Sequence, residues 1–197
     1  MIQHAHEVIS PIDLLNAYCN GYFPMADSTD GDISWYDPEF RGIIPLKGLK
    51  ISRSLRRTIA KGTFAVTVDT AFEDVMRHCA EREQTWISET IVRSYMGLFE
   101  LGYAHSVETR AGGVLVGGLY GVAIGGAFFG ESMFSRVPNA SKIALAALVQ
   151  RMNERGYELL DTQYVTPHLL SMGGVEISRD EYIGLLRAAL TKKCMFI

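Results

Sequence analysis

The 197-residue chain predicts an α+β fold: a mixed sheet built from an antiparallel meander and a βαβ unit, preceded by a small N-terminal domain. Three observations predict it. Residues 104–134 hold three strand-forming runs joined by glycine-paired links of hairpin length. Residues 127–165 read strand, helix, strand with tight links, which makes the two strands parallel neighbours. Residues 22–48 are rich in Pro, Gly and Asp, and they place a domain boundary near Pro38, dividing the chain into 1–38 and 39–197.

Taken in order, Ser10 and Pro11 read as N-cap and first helical residue, and Gly21 as the stop of the helix IDLLNAYCN. Residues 22–48 read as irregular. From Ser52 the chain can be helical: at about 100° per residue, Arg53, Arg56, Arg57 and Lys61 share one arc, and Leu55 and Ile59 point away from it. Helices follow over 70–82, capped by Asp69, and over 89–101, capped by Ser88 and stopped by Gly102. Strands are expected at 104–110, 114–123 and 127–134, turning at Ala111-Gly112-Gly113 and Ile124-Gly125-Gly126. A helix over 140–155 ends at Gly156, and a strand covers 157–165. The last helix starts at Ser178, whose capping box is completed by Glu181.

Composition narrows the function. Hydrophobic residues make up 48% and charged residues 21%, a soluble globular balance. No apolar run reaches the ~18 residues of a membrane span. The start, MIQHAHEVIS, has neither a basic n-region nor a hydrophobic h-region, so the expected location is the cytoplasm. Cys19, Cys79 and Cys194 lie far apart, His4 and His6 sit in an N-terminal tail, and the other histidines are scattered. Neither a disulfide framework nor a metal site is expected. The net charge of −3 is uneven: residues 45–62 carry Lys47, Lys50, Arg53, Arg56, Arg57 and Lys61 and no acid, so this segment is +6 and the remainder −9. Uncompensated cations in an acidic protein point to a polyanion, here a nucleic acid, more than to a solvated helix face. Trp35 and Trp86 are candidates to stack on unpaired bases.

The stretch FFGESMFSR (128–136) carries a glutamate through an apparent core strand. In open α/β sheets ligands settle at the carboxyl ends of parallel strands. Glu131 lies towards that end of its strand, and Asp161 and Gln163 towards that end of the next. Strand alternation puts Glu131 with Met133 on one face and Asp161 with Gln163 on one face, so the three polar groups can converge on one crevice. The plainer reading makes Glu131 a half-exposed edge residue and Asp161 a strand terminus. Phe128, Phe129 and Phe134 read as core, with a bulge at Gly130 able to swing Phe128 onto the Glu131 face.

Several runs together carry a family resemblance: YCNGYFPM (18–25), ISRSLRR (51–57), TWI (85–87), LGYAHSVE (101–108), LVGGLYGV (115–122), FFGESMFSR (128–136), NASKIAL (139–145) and LLDTQYV (159–165). Over about residues 10–190 the chain resembles the bacterial leucyl/phenylalanyl-tRNA–protein transferases. The resemblance implies a GNAT-like catalytic domain after a small N-terminal one. It implies an aminoacyltransferase that moves leucine or phenylalanine, and less readily methionine, from charged tRNA to proteins beginning with arginine or lysine, creating an N-terminal degradation signal. It also implies site roles. Asp161, Gln163 and Glu131 would be catalytic, and Phe128, Met133 and Leu160 would line the amino-acid pocket. Tyr18, Met25 and Trp86 would surround the terminal adenosine of the tRNA, and Arg53, Arg56, Arg57 and Lys61 would meet its acceptor stem.

An aminoacyl ester is already activated, so neither cofactor nor metal is expected. The site need only hold the attacking amine against the ester and accept its proton. One division of labour has the Gln163 amide oxygen bonding the amine, oriented by Asp161, with Glu131 facing the cationic acceptor; the residue types leave open which group takes the proton. Some family members carry tryptophan where this chain has Met25, and the segment before residue 10 is shorter than in longer members. The junction RVPNASK lacks the glycines of an acetyl-CoA pyrophosphate loop, which argues against a small-molecule N-acyltransferase. A tRNA-binding module without activity would leave Glu131, Asp161 and Gln163 idle. A transferase for acidic N-termini would need a cationic acceptor pocket, whereas this one is expected to be anionic.

Overall fold

The computed structural model describes residues 7–26, 28–29 and 31–197; His4 and His6 fall outside them. Helix α1 (Pro11–Cys19) starts as expected: the Ser10 hydroxyl accepts from the Asp13 amide, and Gly21 follows the helix with φ 86°. The residues after it are not irregular. They form a ribbon of β1 (Phe23–Met25) and β2 (Ser34–Tyr36), then β3 (Phe40–Ile43). Helix α2 (Arg53–Ala60) is capped by Ser52 and buries Leu55, but Ile59 is 42% exposed, contrary to its expected inward side.

An unexpected strand, β4 (Ala65–Val68), precedes α3 (Phe72–Ala80). Asp69 does not cap α3. It adopts a left-handed φ of 56° and turns its carboxylate to the Ser106 amide (2.8 Å) and the His105 imidazole (2.7 Å). Helix α4 (Glu89–Glu100) is capped by Ser88 and ends before Gly102, as read from sequence. The meander follows in β5 (Ala104–Ala111), β6 (Val114–Ile124) and β7 (Ala127–Ser135). Helix α5 (Ala140–Glu154) leads to β8 (Leu159–Gln163), which runs parallel to β7 as the βαβ reading required. Two further short elements were not anticipated, α6 (Pro167–Ser171) and β9 (Val175–Ser178). Helix α7 (Arg179–Leu190), capped by Ser178, completes the described elements.

Seven strands form one mixed sheet in the order β4-β5-β6-β7-β8-β3-β9, with β7–β8 its parallel pair. Each face has its own core. On one, Leu14, Val75, Ile91, Tyr95 and Leu186 pack from α1, α3, α4 and α7; on the other, Leu55, Ile143, Leu148 and Leu169 pack from α2, α5 and α6. This is a sheet sandwiched between two helical layers.

Strand β3 escaped the sequence reading because it has only four residues and a glycine in their midst, between Pro38 and Pro45. That glycine is obligatory: a Cβ on Gly42 would lie 2.7 Å from the Tyr164 carbonyl carbon, so only glycine lets β3 close on β8. Gly121 is equally constrained, because a Cβ there would lie 2.2 Å from the Phe129 carbonyl oxygen. Gly121→Ala is therefore expected to lower the unfolding free energy by about 1–3 kcal/mol in urea titrations, the usual cost of overpacking.

Candidate active site

The site begins where two strands part. Pairing between β7 and β8 runs from Ala127↔Leu159 to Phe129↔Asp161 and stops. Beyond that point β8 turns its bonding to β3, with Gly42 opposite Gln163. A cavity of about 440 Å³ opens at the gap, with Gly130 and Glu131 on one lip and Thr162, Gln163 and Tyr164 on the other. Leu119, Met133, Leu145, Leu148, Leu160 and Leu169 make its apolar wall.

Glu131 enters this gap by a bulge. Tyr120 pairs with Ser132 and Gly121 with Gly130, leaving Glu131 as the extra residue. The bulge breaks the alternation predicted from sequence. Glu131 leaves the Met133 face and reaches the α1–α4 side, where its carboxylate accepts from Tyr18 Oη (2.7 Å) and Tyr95 Oη (3.0 Å); the two phenols also touch each other. Phe128 stays on the opposite core, so the bulge does not bring it to the Glu131 face. Glu131 is only 8% exposed, and burial lifts its carboxyl from 4.5 to about 7 against the pull of the two phenols and the Gln163 amide. Burial foremost, with the charge of Glu131 behind it, pushes Tyr18, Tyr95 and Tyr120 well above the ordinary phenol value, which keeps them protonated donors.

Asp161 lies beneath the gap and has no exposed surface. Its carboxylate is fully engaged by Arg41, through Nε at 3.0 Å and Nη2 at 2.7 Å, by Tyr182 Oη at 2.7 Å and by the Gln163 amide at 2.8 Å. The Arg41 guanidinium is 1% exposed, lies over the rings of Phe23 and Tyr182, and donates through Nη1 to Gly21 O. Asp161 thus grips the backbone of Gln163, not its side-chain amide as the sequence reading had it. That grip holds Gln163 at φ 63°, a left-handed conformation rare for glutamine, and presents its side chain to the cavity.

The other expected site residues divide. Met133 and Leu160 line the cavity. Phe128 does not: it has no exposed surface and stacks on Phe196 at 5.2 Å, behind the wall. Tyr18 is likewise fully buried and holds Glu131, so it presents no face to an adenine. Met25 and Trp86 are half-buried against the α1–α4 core and do not line this cavity. Arg53, Arg56, Arg57 and Lys61 are exposed, and none makes an ion pair among the described residues. Asn139 Nδ2 reaches Thr58 Oγ1 at 3.5 Å, which ties α2 to the start of α5, where Ser141 lines the cavity.

Sequence reasoning missed Arg41, Tyr95, Tyr120 and Tyr182. Arg41 stood alone in what read as a loop, and the tyrosines looked like ordinary core aromatics; no local pattern marks them. Arg82, at the cavity rim, was also missed; it donates to Ser132 Oγ at 2.6 Å.

The profile of the family described as leucyl/phenylalanyl-tRNA protein transferase matches residues 43–187, and that of its N-terminal domain matches residues 8–39. Curated relatives named leucyl/phenylalanyl-tRNA–protein transferase are about half identical to the chain. The one from Dinoroseobacter shibae is 51% identical over 186 residues, 94% of this chain and 83% of that one. The one from Cereibacter sphaeroides is 53% identical over 189 residues, covering 95% and 88%. The one from Rhizorhabdus wittichii is 52% identical over 189 residues, covering 93% and 76%. Among solved structures, a conserved protein of unknown function from Bacteroides thetaiotaomicron superposes with a TM-score of 0.50 at 12% identity, covering 77% of this chain and 56% of that one.

Proposed function

The chain belongs to the leucyl/phenylalanyl-tRNA protein transferase family, and from that premise we propose how its cavity performs the transfer. The protein is an aminoacyltransferase that moves leucine or phenylalanine, and less readily methionine, from charged tRNA to the α-amine of proteins beginning with arginine or lysine. The observation that carries the site assignment is the meeting of an apolar slot with Glu131 and Gln163 at the β7–β8 gap. The leucyl or phenylalanyl side chain enters among Leu119, Met133 and Leu148, and its ester carbonyl stops between Glu131 and Gln163. Unbranched β-carbons pass, and the adaptable Met133 admits methionine.

Glu131 takes the proton. The acceptor amine has a reference pKa of about 7.7–8.0 and must shed a proton as it attacks. A carboxylate poised near neutrality at the lip of the cavity suits that task. Asp161, saturated by Arg41 and Tyr182, is a positioning residue that acts through the Gln163 backbone. The negative charge at Glu131 also favours a cationic N-terminal residue. The splayed parallel pair β7–β8 reads as the GNAT-like cleft, with residues 1–38 as the small N-terminal domain and 39–197 as the catalytic one. No described helix is long and apolar enough to cross a membrane, and the cytoplasm is the proposed location.

Arg53, Arg56, Arg57 and Lys61 meet the acceptor stem, beside the α5 end of the cavity. Four phosphate contacts predict a slope of roughly −3 for log affinity against log salt. Arg53→Ala with Arg57→Ala is expected to bring that slope to roughly half in filter-binding measurements, and an unchanged slope would remove α2 from the interface. The reading as a whole is tested by supplying leucyl-tRNA and peptides that begin with Arg, Lys, Asp or Ala. Transfer to the first two supports it, and equal transfer to the Asp peptide contradicts it.

A further inference from the structure

Three buried side-chain polar atoms lack a hydrogen-bond partner among the described residues: Tyr120 Oη, Gln163 Nε2 and His168 Nε2. All three residues line the same cavity. Leaving a buried polar group unpaired costs about 1–3 kcal/mol, so three of them around one space describe what the occupant must offer. Two of the three, Tyr120 and Gln163, flank Glu131. Tyr120 stands on β6 opposite the bulge, and its phenol feels the Glu131 charge. Gln163 stands across the gap, near enough for its side-chain amide to favour the Glu131 charge but without a hydrogen bond to it.

Packing does not explain the Tyr120 hydroxyl. The ring sits edge-on to Phe72 at 5.9 Å and to Tyr95 at 5.7 Å, contacts that phenylalanine would make equally well. The oxygen adds only a buried donor with no partner among the described residues.

Attack on the ester carbonyl creates such a need. The amine lone pair forms the new C–N bond, the carbonyl π pair moves onto oxygen, and the amine proton passes to Glu131. The pair then returns, the bond from carbon to the ribose 3′-oxygen breaks, and that oxygen takes the proton from Glu131. We propose that Tyr120 Oη and Gln163 Nε2 form the oxyanion hole that holds the carbonyl oxygen while it is negative. The assignment rests on the reading of this cavity as the transfer site. Glu131 is neutral at the moment the oxyanion exists, so the two groups do not repel.

Tyr120→Phe separates this role from a structural one by sign. It removes an unpaired buried hydroxyl, so thermal stability is expected to stay level or rise. Single-turnover transfer from leucyl-tRNA to an Arg-peptide is expected to fall by roughly 10²-fold, the loss typical of one oxyanion donor. KM for charged tRNA stays the same to within about twofold, and the midpoint of the pH–rate curve does not move. Transfer at the wild-type rate, or a loss that appears in KM or in stability instead, overturns the assignment. Met133→Trp, which fills the slot, tells the two failures apart. If Met133→Trp is inactive and Tyr120→Phe is normal, the oxyanion hole falls and the transfer site stands. If both are normal, the site itself falls.

Discussion

Glu131→Gln is expected to cut transfer by roughly 10²–10⁴-fold, the range for loss of a general base, with little change in KM for charged tRNA. Glutamine keeps the shape and can still bond Tyr18 and Tyr95, so the fold should survive. Its effect on stability follows from the direction of the shift. Burial raises the Glu131 carboxyl from 4.5 to about 7, so between those values the folded chain holds a proton that the unfolded chain has released. Stability contributed by this group therefore falls as pH rises from about 4.5 to 7 and is level above that. The raise is worth of the order of 3 kcal/mol. Urea titrations at pH 5 and pH 8 should show wild type losing more stability over that interval than Glu131→Gln. At pH 8 the variant should be the more stable protein. Parallel pH dependence in both would mean that the carboxylate is not desolvated as described.

The second large effect is on the fold. Arg41→Ala strands the Asp161 carboxylate, which has no exposed surface, and should lower the unfolding free energy by about 3–5 kcal/mol. It also frees Gly21 O and loosens the backbone that holds Gln163 at positive φ, so transfer should fall even where the variant is folded. Lysine is not a substitute, because it lacks the planar fork that meets both carboxylate oxygens. The double variant Arg41→Ala, Asp161→Asn should recover part of the stability: the stranded charge is gone, and the Asn Oδ1 still accepts from the Gln163 amide. Simple additivity of the two single losses would show that the ion pair is not their source.

Long-period features of the fold were readable in the sequence because local rules and tertiary packing agree there. Capping residues fixed the starts of α1, α2, α4 and α7, glycine turns fixed the meander, and the strand–helix–strand run fixed the parallel pair. Shorter elements were not readable. β3, β4 and β9 have four residues each and exist because neighbouring strands complete their hydrogen bonds, and α6 is a five-residue helical turn capped by Thr166. Within the site, the convergence of Glu131 with Gln163 was anticipated, but on the wrong face for Glu131. A single extra residue in β7 moved it, and alternation arguments cannot see a bulge that depends on Gly121 and Gly130 facing one another. Asp161 was given the chemistry because it lies towards the carboxyl end of its strand and because the family resemblance implied it. Arg41, 120 residues away in sequence, occupies it.

The transfer mechanism requires that the ester carbonyl meet the amine at the β7–β8 gap. A crystal structure with an amide-linked phenylalanyl-adenosine measures that directly. The expected result is the phenyl ring among Leu119, Met133 and Leu148, with the carbonyl carbon between Glu131 and Gln163. A ring lodged elsewhere on the protein, with its carbonyl beyond the reach of one bridging water from both residues, would contradict it.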